Sequence, residues 1–282
     1  MNRLALPLAT VLFAACSPPE EAPEELNEPV VHLFSNFDDP TADLVPYVEA
    51  LDEYARTFDP TLPPADRAFT QTNLTDADLA AVEHPDTTTY PLSEISPVAI
   101  VGQSRHNMAA NRSLVNEPNH VCIESETTKV YRRTMLEGDP CFVDGTCDRA
   151  NTTNEVWKKN VLADLWYDME KDYRWMELSD GREAMIARTW TKQAFAGEGG
   201  ANGLDHGHGI ELWAEHPDDA SVTTRVYATW FNLRISLLGA DAVANLTRDG
   251  MAEGMTFADE FLDGKIVSCG NDRDKTAERP KP

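Results

Sequence analysis

The densest set of chemistry-bearing residues is Asp205-His206-Gly207-His208, inside the glycine-rich stretch GEGGANGLDHGHG at 197–209. Histidines two apart project to one side of an extended chain, and Asp205 beside them adds a carboxylate, a donor set suited to a divalent metal. A metal-dependent hydrolase is the activity such a site would serve. No third or fourth ligand is fixed by spacing; His106, His120, His216 and Glu198 are only available donors. The competing expectation is a flexible hairpin loop carrying two solvated imidazoles. Gly197, Gly199, Gly200 and Gly203 do not make a phosphate loop, because no Lys-Ser or Lys-Thr ends the run and a strand is expected to follow. Ser104-Arg105-His106 brings a nucleophile and a base together in sequence, which by itself makes no dyad, and there is no Gly-x-Ser-x-Gly elbow. Carboxylate pairs such as Asp38-Asp39 and Asp218-Asp219 read as turns. The sequence therefore indicates no catalytic residue and no cofactor.

A second kind of chemistry is binding. Trp157, Trp166, Tyr167, Tyr173, Trp175, Trp190, Trp213, Tyr227 and Trp230 concentrate between residues 155 and 235. Of these, Trp190, Trp213, Tyr227 and Trp230 are the candidates to line a pocket for an apolar ligand, with ordinary core packing as the alternative.

The cysteines and the N-terminus point to export. Arg3, the apolar run 4–13 and the small residues Ala14 and Ala15 directly before Cys16 follow the layout of a secretory signal. The apolar run is too short to span a bilayer, which takes roughly 20 residues. Phe13-Ala14-Ala15-Cys16 resembles the lipobox of bacterial lipoproteins, with Phe13 where that motif usually carries Leu. The resemblance implies cleavage before Cys16, lipid on that cysteine, and a place in the bacterial cell envelope, of the outer-membrane kind given Ser17. A plain signal peptide cut nearby is the alternative. Setting Cys16 aside leaves Cys122, Cys141, Cys147 and Cys269, an even number that suits an oxidising compartment. The Asp144-Gly145 turn favours a Cys141–Cys147 disulfide, which would leave Cys122 to pair with Cys269. A zinc site is the rival reading, although its thiolates are normally more closely paired.

These residues need elements to position them. Residues 16–29 are rich in Pro and Glu and read as an extended acidic tether; residues 30–37 read as a short strand or extended arm. Helices are expected over 41–58 and 76–83, the second capped by Thr75. Strands are expected at 98–101, 129–136, 155–169, 183–195, 210–215 and 223–235, several of them alternating polar and apolar residues. The clearest helix is 241–262, with Val243, Leu246, Gly250, Gly254, Phe257 or Ala258, and Phe261 on one stripe and Gly264 placed to end it. Its two internal glycines suggest close backbone approach to the sheet. Residues 266–282 read as an unstructured tail.

The expected fold is thus α+β. A curved antiparallel sheet of about six strands packs on a long C-terminal helix, with short N-terminal helices. The segments are a signal peptide (1–15), a tether (16–29), a helical N-terminal segment (30–94), the sheet-and-helix domain (95–265) and the tail. This order of elements resembles the START-like helix-grip family, which implies a cavity for lipid or another apolar ligand; an antiparallel half-barrel with a helical lid, as in periplasmic lipoprotein carriers, fits as well. With 48 acidic and 24 basic residues and a formal net charge of −24, the chain excludes nucleic acid as a partner. The expected partners are the membrane, through lipid on Cys16, and an apolar small molecule or lipid. Three functions stay open: non-enzymatic binding of a hydrophobic molecule, a structural or protein-interaction role in the envelope, and the metal-dependent hydrolase.

Overall fold

The computed structural model describes residues 20–21, 24–40, 42–118, 120–197, 200, 202–236, 238–266 and 279. The strands are β1 (Glu20–Glu21), β2 (Ala68–Thr70), β3 (Ser96–Ser104), β4 (Thr128–Glu137), β5 (Arg149–Lys159), β6 (Asp164–Glu177), β7 (Glu183–Trp190), β8 (Phe195–Ala196), β9 (Gly203–His216) and β10 (Asp219–Arg234), the longer ones rich in β-branched and aromatic residues. The helices are α1 (Glu24–Ser35), α2 (Val45–Ala55), α3 (Asp76–Leu79), α4 (Met108–Ser113) and α5 (Ala240–Leu262). The strands make one sheet in the order β1-β2-β3-β10-β9-β7-β6-β5-β4, with β8 added on β9. Every pairing is antiparallel except β1 with β2.

The architecture is the expected α+β one, but the sheet has ten strands. The expected strand 155–169 is a hairpin: Lys159 pairs with Asp164, and the Asn160 side chain accepts from the backbone N–H of Leu162 and Ala163 at 2.8 and 2.9 Å to close the turn. The glycine-rich stretch is not a loop from residue 203 onward. It is the start of β9, paired with β10 along its length.

The sheet is covered on both faces. On the outer face Ile186, Ile210, Leu212, Val226 and Trp230 pack against Val30, Leu33, Phe34, Val48 and Leu51 of α1 and α2. This corrects the expectation of a tether followed by an extended arm, since the chain is helical from Glu24, with Pro29 inside the helix. Leu33, Phe34 and Phe37 are fully buried, and burying each stabilises by roughly 1.5–3 kcal/mol, enough to offset the cost of a helical proline. Further on, α3 begins at a capping box in which Thr75 and Asp78 satisfy each other's backbone N–H groups.

On the inner face lie α5, α4 and a 3-10 turn, His120–Ile123. Val243, Ala252, Met255 and Ala258 of α5 are buried, whereas Leu246 is 44% exposed. Gly264, at φ 69°, ends α5 as its position suggests. A methyl group on Gly250 would lie 3.9 Å from Ser125, and one on Gly254 would lie 3.7 Å from the Ile123 carbonyl oxygen. The glycines therefore face the 120–125 segment, not the sheet.

Cys141 and Cys147 form a disulfide with Cα atoms 5.3 Å apart. Cys122 is disulfide-bonded; Cys269 and Cys16 lie outside the described residues, as does all of the 267–282 tail but Arg279. Among the described residues no helix is long and apolar enough to cross a membrane.

Candidate functional site

The Asp-His-Gly-His motif is divided by the pleat of β9. His206 and His208 point to the outer face, where both are fully buried. His206 Nε2 lies 2.8 Å from the Tyr90 carbonyl oxygen, and His208 Nε2 lies 3.3 Å from His206 Nδ1. The His208 ring meets Phe34 edge-on. Burial, then the neighbouring His206 and His84, pushes the His208 imidazole down to about 3, so it is neutral at ordinary pH. Asp205 sits at a register shift in β9 and turns to Arg234, whose Nε donates to its carboxylate at 2.5 Å. Among the described residues no three His, Cys, Asp or Glu side chains gather closely enough to hold a metal ion. The imidazoles are core groups, not solvated loop residues, because the strand begins seven residues before its apolar pattern indicates.

Gly207 and Gly209 lie on the opposite, inner face, beside Phe231 and Thr229. There the sheet and α5 border a partly open cavity of about 830 Å³. Leu165, Tyr167 and Met169 of β6 and Phe231 of β10 supply apolar wall, and Leu246, Met251 and Ala258 of α5 form the roof. Trp213 and Tyr227 line the cavity, their rings 5.7 Å apart. Trp190 and Trp230 do not. They face outward, where Trp230 is buried against Phe34 and its indole N–H donates to the Thr72 carbonyl at 2.7 Å, and Trp190 lies under the Arg188 guanidinium. Residues on adjacent registers of one strand alternate faces, so Tyr227 and Trp230 cannot share a pocket wall.

Part of the cavity wall is charged. Lys171 Nζ donates to Glu211 at 2.6 Å. Burial opposes the charge on Lys171, but the Glu211 carboxylate more than offsets it, and the ammonium is held above its ordinary range. Arg133 is buried on β4 and donates to Asn154 Oδ1 at 2.9 Å, to the Val115 and Leu114 carbonyls at 3.0 and 3.4 Å, and to the Tyr131 hydroxyl at 3.3 Å. The Tyr173 ring lies between the two cations, 5.5 Å from each. His120 packs at a tilt against the Tyr131 ring, centroids 5.0 Å apart, and lies 2.7 Å from the Leu114 oxygen through Nε2. Burial, then the charges of Arg133 and Lys171, drives its pKa well below normal. None of these charged groups stands out as a motif. The signal available is a charged and an aromatic residue two apart on four strands: Tyr131/Arg133, Lys171/Tyr173, Glu211/Trp213 and Arg225/Tyr227.

A second polar cluster clasps α5 to the sheet. Asp259 of α5 accepts from the Ser104 hydroxyl at 2.7 Å and from the Arg105 backbone N–H at 3.2 Å, and pairs with Arg225 at 3.0 Å. Arg225, fully buried, also donates to the Met255 carbonyl and to Asn111. The Ser104 hydroxyl is thus committed to Asp259, and His106 points to the end of α5, 3.1 Å from Asp263. The pair is structural and makes no nucleophile and base.

The fold and cavity define a class: an α+β protein whose antiparallel sheet is closed by a C-terminal helix over an internal space. No family model matches the chain, and no curated protein does. Solved structures similar to it include a protein from Thermus thermophilus (12% identical, covering 60% of this chain and 99% of that one, TM-score 0.42). A STAR-related lipid transfer protein from Xanthomonas axonopodis is 8% identical, covering 60% of this chain and 87% of that one, with a TM-score of 0.41. A START superfamily protein from Mycobacterium smegmatis is 8% identical, covering 60% and 99%, with a TM-score of 0.38.

Proposed function

We propose that the chain is an exported lipoprotein, held at the bacterial cell envelope by lipid on Cys16, whose folded part binds a hydrophobic small molecule or lipid without transforming it. The observation that carries the binding reading is the 830 Å³ left open between sheet and α5. Side chains ordinarily fill interiors to crystal-like density, and a cavity of this size falls within the range of roughly 300–1,000 Å³ that holds a small-molecule ligand. Its walls are mostly apolar, so an apolar molecule entering it would leave water at a gain of about 25 cal/mol per Å². The described residues expose only scattered large apolar side chains, Leu62, Leu136, Val161 and Leu246, on separate elements. That arrangement gives a protein-interaction role no surface patch to work with.

The tether is supported by the sequence alone: Arg3, the apolar run, and Ala14-Ala15-Cys16 in that order. A net charge of −24 would keep the folded part off anionic lipid, leaving the acyl chains as the link to an outer membrane.

Two measurements test these parts separately. Native mass spectrometry of the full chain extracted from membranes should show a bound apolar molecule, and Gly250→Trp, which projects a large ring into the cavity, should remove it. A bare protein mass, or a ligand retained in Gly250→Trp, refutes cavity binding. Cys16→Ala should move the chain from the membrane to the soluble fraction; a variant that stays membrane-bound refutes the tether.

A further inference from the structure

The cavity wall carries more positive than negative charge. Arg133 keeps its proton under all ordinary conditions, and each hydrogen bond it makes goes to a neutral acceptor: an amide oxygen, two backbone carbonyls and a phenol. Of the carboxylates on the sheet side of this wall, Glu211 is engaged by Lys171 at 2.6 Å, and Glu124 lies 3.6 Å from Lys158. Two cations therefore share one carboxylate, and both are buried, Arg133 at 6% and Lys171 at 7% exposure. A buried cation without a counter-charge is costly, and the molecule retains one here beside an open space.

Resting on the reading that the cavity binds an apolar molecule, we propose that its ligand is an amphipathic anion: an apolar body against β6, β10 and α5, and a carboxylate or similar acidic head placed at Arg133, Lys171 and Tyr173. The guanidinium and ammonium would each give the head a charge-assisted hydrogen bond, and the planar Arg133 fork suits a carboxylate. Glu211 then competes with the head for Lys171 and sets how tightly an anion is held. A cationic head would meet repulsion at the same place.

Three probes with one chain length test this at pH 8: dodecanoate, 1-dodecanol and dodecyltrimethylammonium, their binding to the full chain followed by isothermal titration calorimetry. Dodecanoate should bind at least about tenfold tighter than 1-dodecanol, and the cationic probe weakest, as loss of one buried charge-assisted bond implies. Arg133→Met should cut the dodecanoate-to-dodecanol affinity ratio by roughly tenfold, with Arg133→Lys restoring part of it. Glu211→Gln, which frees Lys171, should raise that ratio. If the wild type binds all three probes equally, the anionic head is overturned while cavity binding stands. If it binds none of them, both readings fall. Should Arg133→Met not fold, the wild-type series and Glu211→Gln decide the matter.

Discussion

The clasp between α5 and the sheet gives the sharpest stability test. Asp259→Ala removes the carboxylate that accepts from Ser104 and from the Arg105 N–H and that pairs with Arg225. Arg225 has a fully buried side chain, so the variant leaves its charge in the interior with only the Met255 carbonyl and Asn111 as partners. Removing one member of a buried pair costs about 3–5 kcal/mol. At roughly 2–4 °C per kcal/mol for a chain of this size, the melting temperature should fall by about 6–20 °C. Asp259→Asn keeps an acceptor for Ser104 but not the charge, and should lie between. The double variant Arg225→Met with Asp259→Leu removes both charges, and should cost less than Asp259→Ala alone. Urea denaturation followed by tryptophan fluorescence measures all four proteins. A loss below about 1 kcal/mol in Asp259→Ala, or a double variant no more stable than the single, would sink the assignment of the clasp as a buried, mutually dependent pair.

Further expectations concern other parts of the fold. Phe34→Ala, at a fully buried position of α1, should cost about 3–5 kcal/mol in urea unfolding; a loss under 1 kcal/mol would mean that α1 does not hold the outer face. Gly250→Ala should stabilise by about 0.5–1 kcal/mol, because its methyl meets nothing nearer than 3.9 Å; a lower melting temperature would contradict the open space beneath that turn. Burial holds His208 near 3 in the folded chain, against about 6.5 unfolded. The unfolded chain then takes up a proton that the folded one refuses, so stability falls as pH drops through the window from 6.5 to 3. The slope for this one group is up to about 1.4 kcal/mol per pH unit. His208→Phe should remove that share of the slope between pH 6 and 4; equal slopes in variant and wild type would show His208 to be accessible to protons.

Much of the scaffold is legible in the sequence because its periodicity is undiluted. The α5 stripe, the Thr75/Asp78 box and the two apolar faces of β10 each follow from side-chain spacing alone. Where the reading fails, a local signal is overridden by packing. Val30, Leu33, Phe34 and Phe37 stand at i, i+3, i+4 and i+7, a helical face, yet Pro29 and the acidic residues before it read as tether. The run 155–169 reads as one strand because Val161 and Leu162 sustain the apolar pattern across the Asn160 turn. The cavity is the harder case. On a half-buried strand the polar face is expected to meet water, so Arg133, Lys171 and Glu211 pass for solvent-facing residues. Only the tertiary fold shows that this face is roofed by α5. The histidines fail in the opposite direction: their chemistry suggests a ligand set, whereas the pleat turns them into the outer core and leaves the glycines facing inward.

That alternation in β9 also bears on how the chain can vary. His206 and His208 fill the outer layer beside Phe34 and Trp230, while Gly207 and Gly209 keep the inner wall low. Both surfaces are written in one reading frame of period two. Deleting or inserting a single residue between Asp205 and Gly209 would exchange them, pushing imidazoles into the cavity and leaving holes in the outer core. The segment is thus closed to changes of length. Relatives of this chain should therefore place their insertions in the β5–β6 and β6–β7 turns and keep 205–209 at constant length.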